Sequence, residues 1–397
     1  MKILIVCQYY YPKNFSVTRI AEGLKNRGFD VDVLTGKPDI AGGLIDPKYK
    51  DVSDEIINGV NVHRVNISPC KNSTFSLIKN YVSFWRNSRK WVKKCTEKYD
   101  LVYSYSLSPV TILSPANLYK KIHRVPHITH VLDIWPESVV ATHHVIRYSP
   151  MYFYYFVLSK KLYKGADKII IGSPSYESYF RKVLKIKKIP IEYIPQPSVA
   201  ENNLIKPYPY KQNFNILYCG NVNRLQMVDT FVPAFKQLID KDVTLHVVGN
   251  GRYLSQLIKD VDANGLHDKI IIHGPKSAND SSGYILGADA MLVSLSSKTV
   301  VGNTIPAKLI TAMAFSKPVI AMISGDGKDV LTSSGGGIFA SQNPEGLVSA
   351  VFNTLSLDKL ELKKLGNNNF NYYSEHFALD KVIDKLITSF EINIKIR

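Results

Sequence analysis

The sequence predicts an α/β protein of two Rossmann-like domains, and three observations support this fold class. The chain has 397 residues, more than a single hydrophobic core usually holds. Strand-like and helix-like segments alternate in two consecutive series of similar length. Residues 195–213, rich in Pro, Asn and Tyr, separate the series as a linker. Because such sheets bind ligands at the carboxyl ends of their strands, we expect the site in a cleft between two facing domains.

The first series opens with a βαβ unit. Residues 2–10 are strand-like, the amphipathic segment 16–28 predicts a helix ending at Gly28, and residues 29–36 predict the next strand. Such a unit requires parallel strands joined by a right-handed crossover. Helical segments separate three further predicted strands, at residues 100–106, 126–136 and 166–173.

The second series places glycines at the carboxyl ends of successive strands. Strands are predicted at residues 215–221, 243–251, 269–275, 290–296 and 317–323, and helices at 227–240, 253–266, 281–289 and 305–316. The glycines are Gly220, Gly249, Gly251 and Gly274. Glycine lets the backbone approach a ligand, and the N-terminus of a following helix favours phosphate. Each glycine alone is better explained by a short turn, but the four together favour a nucleotide site.

Composition indicates a soluble or peripheral protein with one basic half. The sequence has no apolar run of about 18 residues. Its opening is typical of a first strand rather than of a signal peptide, and four scattered cysteines predict free thiols in a reducing cytoplasm. Residues 1–200 carry 30 Lys and Arg against 15 Asp and Glu, whereas residues 201–397 carry 20 against 18. The first half is therefore expected to face a membrane surface or a nucleic acid.

The order of motifs is more informative than any one of them. The sequence has no GxxxxGK followed by Ser or Thr, which counts against P-loop enzymes. It has no GxGxxG after a strand, which counts against nicotinamide enzymes, and no GxSxG, which counts against α/β-hydrolases with a nucleophile elbow. The segments LDIWPES, YIPQPSV, YCGNVNRLQ, LHVVGNG, IIIHGPKS, GADAMLVSLS, PAKLITAMAFSKPVIA and SSGGGIFA occur in family order. With them the chain resembles the family 4 glycosyltransferases, which have the GT-B fold. It is most similar to the branch that builds O-antigen and capsule repeats, including N-acetyl-fucosamine transferases.

This resemblance implies a set of residues for the nucleotide-sugar donor. Lys308, on the first turn of a helix that begins near Pro306, would meet the diphosphate; a solvated lysine is the alternative. The family motif of two Glu residues, the second of which holds the ribose, falls on Asn303 and Thr311. A hydroxyl can still bond ribose, although without the strength of a carboxylate.

Further donor contacts are implied at two turns. The usual Arg and Lys of the first turn fall on Asn221 and Gln226, with Gly220 before them, so Arg224 is the remaining cation for the diphosphate; an exposed loop arginine is equally consistent. The base would be held by the backbone around Gly274 and Lys276, and Gly249 would line the same edge.

In the first series, HVLDIWPES places His130 and Asp133 on a predicted strand, followed by Glu137. We interpret Asp133 as a group that orients the acceptor hydroxyl or the donor sugar, the alternative being a capping network around Pro136. His130 is interpreted as a core residue. Retaining relatives are thought to need no protein base, so catalysis would consist of positioning and stabilisation of the leaving diphosphate. No metal is expected, because the DxD spacings at Asp240 and Asp260 lie on polar helix ends.

Segment 76–98 offers an explanation for the basic charge. On a helical wheel one arc is apolar, and the other side carries cations. The apolar arc consists of Leu77, Ile78, Tyr81, Phe84, Trp85 and Val92, with Trp91 at its edge. Such a helix lies well at an anionic bilayer interface. Core packing is the alternative, and it is favoured for the similar segment 148–165. A nucleic-acid module is less consistent, since no helix-turn-helix, zinc finger or RNP-like segment occurs.

We therefore predict a metal-independent, retaining glycosyltransferase. It would move an N-acetylamino sugar from a nucleotide donor, expected to be UDP-linked, to a polyprenyl-diphosphate-linked oligosaccharide at the inner face of the plasma membrane. The expected domains are residues 1–196 for the acceptor and 209–373 for the donor, with a C-terminal helix, 374–397, returning to the first domain. A GT-B sugar-nucleotide epimerase and a non-enzymatic membrane or nucleic-acid scaffold are the alternatives.

Overall fold

The protein is described from a computed structural model that covers residues 1–13, 15–40, 43–70, 73–141, 145–198 and 205–395. Its contacts divide the chain into two compact units. The first comprises Met1–Gln196 and Leu379–Arg397, and the second comprises Pro197–Ala378. Within the predicted linker, residues 199–204 lie outside the described ranges. Each unit is a Rossmann-like α/β layer structure, as the alternation of segments predicts.

The first unit contains an eight-stranded sheet with the order β10-β9-β8-β7-β1-β2-β6-β5. Its strands, with the short hairpin β3–β4, are β1 (Lys2–Val6), β2 (Asp30–Gly36), β3 (Asp39–Ile40), β4 (Leu44–Ile45), β5 (Asp54–Ile57), β6 (Val60–Val65), β7 (Leu101–Ser106), β8 (His127–Val131), β9 (Lys168–Ile171) and β10 (Ile191–Tyr193). All pairings within the sheet are parallel except that of the edge strand β5 with β6. The carboxyl ends of β1, β7 and β8 therefore lie along one edge.

Helices cover both faces of this sheet. They are α1 (Ser16–Asn26), α2 (Thr74–Lys94), α3 (Leu113–His123), α4 (Glu137–Ala141), α5 (Pro150–Tyr163), α6 (Ser175–Ser178) and, from the end of the chain, α14 (Leu379–Lys395). Successive residues of a strand point to opposite faces. Accordingly Ile3 joins Ile20 of α1 and Ile383 of α14 in one buried cluster, while Leu4 joins Phe84 of α2 in another. None of the helices in the described ranges is long and apolar enough to cross a membrane.

The second unit contains six parallel strands in the order β13-β12-β11-β14-β15-β16. They are β11 (Phe214–Cys219), β12 (Val243–Val248), β13 (Ile270–Gly274), β14 (Ala290–Ser294), β15 (Val319–Met322) and β16 (Gly337–Phe339). The helices are α7 (Phe231–Gln237), α8 (Leu254–Ala263), α9 (Ala278–Gly287), α10 (Ala307–Ala314), α11 (Gly325–Ser334), α12 (Pro344–Leu355) and α13 (Lys359–His376). The order changes direction at β11, where an open parallel sheet binds its ligands.

Several predicted boundaries differ from the structure, and two of these differences concern the site and the domain boundary. The strand expected to run to residue 136 ends at Val131, so Asp133 lies in the loop beyond it. The last helix is divided, because α13 ends at His376 and α14 begins at Leu379. Phe377, between them, is buried in the second unit, and the contacts place the boundary after Ala378 rather than after residue 373.

Candidate active site

Glycine turns at the carboxyl edge of the second sheet pack directly on one another. The amide N–H of Gly220 donates to the carbonyl of Val248 at 2.9 Å, and that of Gly249 donates to the carbonyl of Gly274 at 2.9 Å. Gly220 and Gly249 have φ angles of +145° and +144°, which L side chains rarely adopt. A Cβ on Gly249 would stand 1.8 Å from the Gly220 carbonyl oxygen. The edge is therefore a surface of backbone that a ligand can approach closely.

Lys308 is held against this edge. It lies on the first turn of α10, whose N-cap residue Pro306 gives no side-chain hydrogen bond. Its Nζ donates to Tyr218 Oη at 2.7 Å and lies 4.0 Å from the centre of the Tyr218 ring. A Cβ on Gly220 would lie 3.5 Å from the same nitrogen. Burial lowers the pKa of Lys308 to about 7, so a bound anionic ligand would favour its protonated, cationic form.

Tyr218 fixes the position of Lys308 and was not among the predicted site residues. Its hydroxyl donates to the carbonyl oxygen of Asn221, and its ring packs edge-on against Phe231 with centroids 5.2 Å apart. The side chain is fully buried. Its position two residues before Gly220 on β11 is a signal that sequence analysis could have used, because that residue points to one face of the sheet at its carboxyl end.

The turn after β11 contains three of the predicted donor contacts. Asn221 is exposed and accepts a hydrogen bond from Asn223 at 2.9 Å, whereas the guanidinium of Arg224 lies over the Tyr253 ring at 5.4 Å. The carbonyl of Gln226 accepts from Ser294 Oγ at 2.6 Å, which ties the turn to β14. Within the described residues, the buried Oε1 of Gln226 meets no hydrogen-bond donor. This oxygen is available to a donor group on a ligand.

The two positions of the Glu motif also lie in this unit. Asn303 ends a 3-10 turn, and its Oδ1 accepts from Ser324 Oγ at 3.0 Å. Thr311 lies on α10 one turn after Lys308. Its hydroxyl donates to the Ala307 carbonyl at 3.1 Å and lies 3.4 Å from Ser198 Oγ. The Thr311 hydroxyl is thus already engaged by its own helix, and it can offer a ribose hydroxyl an acceptor lone pair.

The turn after β13 is the most open part of this edge. Gly274 has a φ of +69°, and a Cβ built there would meet no atom within 4 Å. Lys276, two residues on, is exposed. Before the turn, His273 Nε2 lies 3.0 Å from Nδ1 of His246, and burial lowers the pKa of His246 to about 4. The histidine pair supports the strands, while the turn itself leaves its backbone accessible.

In the first unit, Asp133 is part of a hydrogen-bonded chain. Ser108, in the loop after β7, donates through Oγ to Asp133 Oδ2 at 3.0 Å and accepts from Trp135 Nε1 at 3.0 Å. Burial raises the pKa of Asp133, and the Ser108 hydrogen bond opposes that rise. The carboxylate is therefore positioned by the two loops that follow β7 and β8, which are neighbouring strands in the sheet.

The other two candidates of that segment are buried and paired. His130 lies between Tyr103 Oη at 2.7 Å and the Ile194 carbonyl at 3.0 Å, and burial lowers its pKa to about 4. Glu137 accepts from Tyr152 Oη at 2.9 Å and Tyr179 Oη at 3.3 Å. Both side chains stabilise the unit through internal hydrogen bonds.

Family models match both halves of the chain. A model described as Glycosyltransferase Family 4 matches residues 14–197, and one described as Glycosyl transferases group 1 matches residues 213–356. A comparison with curated proteins finds no match.

Solved structures share the fold over nearly the whole chain. Sucrose-phosphate synthase from Thermosynechococcus elongatus is 18% identical with a TM-score of 0.79, and the alignment covers 100% of both chains. Anabaena HepE in complex with UDP and glucose is 16% identical with a TM-score of 0.72, covering 99% of this chain and 100% of HepE. The lipopolysaccharide outer core galactosyltransferase WaaB is 13% identical with a TM-score of 0.60, covering 98% and 99%. These likenesses show the GT-B fold.

Proposed function

We propose that this chain, a glycosyltransferase of the GT-B type, transfers an N-acetylamino sugar from a UDP-linked donor. The acceptor would be a polyprenyl-diphosphate-linked oligosaccharide in the synthesis of O-antigen or capsule at the inner face of the plasma membrane. The resemblance of its motifs to that branch supports the proposal. So do two structures of similar fold, since HepE was solved with UDP and glucose and WaaB is named as a lipopolysaccharide galactosyltransferase.

The observation that carries the proposal is the environment of Lys308. Its ammonium is fixed by Tyr218, lies beside the glycine turn of β11 and stands on the first turn of α10. A helix N-terminus and a lysine whose charged form would be stabilised by a bound anion together favour a diphosphate. Burial depresses the pKa of Lys308, and a bound diphosphate would raise it again by supplying negative charge.

The proposed reaction breaks the bond between the anomeric carbon and the diphosphate oxygen. The acceptor oxygen forms the new bond to that carbon, its proton passes to the leaving diphosphate, and the anomeric configuration is retained. Lys308, Arg224 and the first amides of α10 would stabilise the negative charge that develops on the leaving group. Asp133 would accept a hydrogen bond from the acceptor hydroxyl and orient it. No step in this scheme calls for a metal ion.

The test is a calorimetric titration with UDP, GDP, ADP and TDP, repeated in two buffers of different ionisation enthalpy. At about pH 8 the nucleotide is fully ionised and free Lys308 is mostly neutral, so UDP binding should take up close to one proton. The buffer dependence of the enthalpy reports that uptake. UDP affinity should fall as the pH rises above about 7, because protonating Lys308 becomes more costly.

Lys308→Arg is the matched control, since its guanidinium stays charged and should abolish proton uptake while retaining a cation. Selective UDP binding with proton uptake supports the proposal. Selective binding of another nucleotide would replace the UDP assignment, and the absence of all nucleotide binding would contradict a transferase and favour a scaffold.

A further inference from the structure

Helix α2 presents to solvent an apolar stripe that only partly matches the arc predicted from its sequence. Phe84 and Val92, members of the predicted arc, are buried in the core, together with Asn80 and Ser88 at intervals of four residues. The exposed apolar residues of α2 are Phe75, Ile78, Val82 and Trp85. Their spacing of three and four residues places them on one face, and all of them precede Arg86. The predicted apolar arc was therefore partly wrong, because it combined core residues with surface residues.

Helix α5 repeats this arrangement. Met151, Tyr154 and Val157 are 51%, 61% and 65% exposed, and they lie between the second and the eighth residue of the helix. Lys160 and Lys161 follow in its last turn. Most exposed hydrophobic residues occur singly, but here two helices expose apolar side chains along the same portion of their length.

The cations of both helices lie towards the other end. In α2 five of the six cations, Arg86 and those after it, follow the exposed stripe, and only Lys79 lies within it. Neither Thr74–Lys94 nor Pro150–Tyr163 contains an Asp or Glu. The polarity of each helix therefore runs along its axis, from an apolar beginning to a cationic end.

The parallel sheet aligns these two gradients. Helix α2 connects β6 to β7 and α5 connects β8 to β9, so both helices begin at the carboxyl edge of the sheet and run back to its amino edge. Rings bridge the two: Trp135 lies 6.4 Å from Tyr81 of α2 and 5.2 Å from Tyr155 of α5, between ring centroids. The exposed apolar residues of both helices therefore lie at the edge that also holds Asp133.

We propose that the apolar tip, formed by Phe75, Ile78, Val82, Met151, Tyr154 and Val157, inserts into an anionic bilayer at the level of the lipid headgroups. The cations of α2 and α5 then contact the headgroups around it. The pairing of exposed apolar side chains with cations, without a single acidic residue on either helix, fits an anionic lipid surface. The unit docks by the beginnings of two helices, rather than by one helix lying flat.

The position of the tip also concerns the acceptor. Trp135, which bridges α2 and α5, donates to Ser108, and Ser108 donates to Asp133. A lipid-linked acceptor emerging at the tip would reach Asp133 along this short path. This part of the inference rests on the proposed function, whereas bilayer binding by the tip does not.

The test is flotation of the full chain with vesicles that contain phosphatidylglycerol, and with vesicles of phosphatidylcholine alone. The triple variant Val82→Ser, Met151→Ser, Val157→Ser should lose about tenfold or more in partitioning to phosphatidylglycerol vesicles. The matched control Ile56→Ser, Ile258→Ser, Leu360→Ser removes equally exposed apolar side chains elsewhere and should partition like the original chain. Binding should weaken with added salt and be far weaker on phosphatidylcholine.

Variants confined to one helix separate the two contributions. Phe75→Ser with Val82→Ser, and Met151→Ser with Val157→Ser, should each reduce flotation. Full retention by either pair, or by the triple variant, would overturn the two-helix surface. Loss of self-association in the triple variant, in a chain that does not float, would instead make the tip a contact between two copies. UDP titration of the same variants should be unchanged, so failure of membrane docking and failure of the transferase proposal are distinguishable.

Discussion

The carboxyl edges of the two sheets are made of different groups. In the second unit the edge consists of backbone: Gly220 and Gly249 bring main-chain atoms together, and Lys308, whose pKa is lowered by burial, lies beside them. In the first unit the edge consists of side chains, with Asp133 tied through Ser108 to Trp135. A diphosphate is bound best by amides and a cation, whereas a sugar or lipid chain is bound best by rings and a few directed polar groups. The same fold thus places two different sets of groups at corresponding edges of its two sheets.

Removing the cation should have the largest effect. Lys308→Ala should lower turnover by about 10²- to 10³-fold, because a preorganised donor to the leaving group is lost. Lys259→Ala, which removes an exposed lysine on α8, should leave turnover unchanged. Transfer is measured by release of nucleoside diphosphate, with thermal unfolding as the check on folding. Normal turnover in Lys308→Ala would show that the backbone edge works without its cation.

A single methyl group should disrupt the backbone edge. Gly249→Ala places a Cβ 1.8 Å from the Gly220 carbonyl oxygen at a φ of +144°, so we expect the free energy of unfolding to fall by about 3 kcal/mol. Gly274→Ala, at a φ of +69° in open space, should cost about 1 kcal/mol. Denaturant unfolding of the second unit measures both. Equal midpoints for the two variants would contradict the close packing of the glycine turns.

The side-chain edge should be tested by Asp133→Asn, which keeps the size of the residue and removes its charge. We expect turnover to fall about tenfold, since the acceptor hydroxyl loses a charged acceptor, and UDP affinity to stay unchanged. Ser108→Ala, which removes the donor to Asp133, should have a smaller effect in the same direction. If Asp133→Asn transfers sugar at the original rate, the carboxylate does not position the acceptor.

Much of the carboxyl edge of the second sheet could be predicted from the sequence. Parallel strands align their carboxyl ends, and the glycines that follow those strands are brought together with them. Gly220, Gly249 and Gly274 are joined there as a βα series predicts. The structure adds Tyr218. Its role, which is to hold Lys308 in place, was not predicted from the sequence. It also shows the Thr311 hydroxyl bonded within its own helix. Their binding roles remain predictions for the experiments above.

The carboxyl edge of the first sheet was harder to predict. Asp133 was placed on a strand, but the strand ends two residues earlier, and its partner Ser108 comes from a different loop. For α2, a helical wheel shows which residues share a face but not which of two apolar stripes the core accepts. The sheet accepts Phe84 and Val92, leaving Phe75 and Val82 in solvent.

The sequence by itself determined the fold class, the two α/β series and the edge at which most of the candidate residues lie, because hydrophobic period and turn residues act locally and parallel topology then orients every strand. Tertiary structure alone decided the depressed pKa of Lys308, the pairing of Asp133 and which apolar side chains of α2 and α5 remain exposed. Each of these depends on residues far apart in the chain, since burial, hydrogen-bond partners and exposed faces are set by which elements pack together.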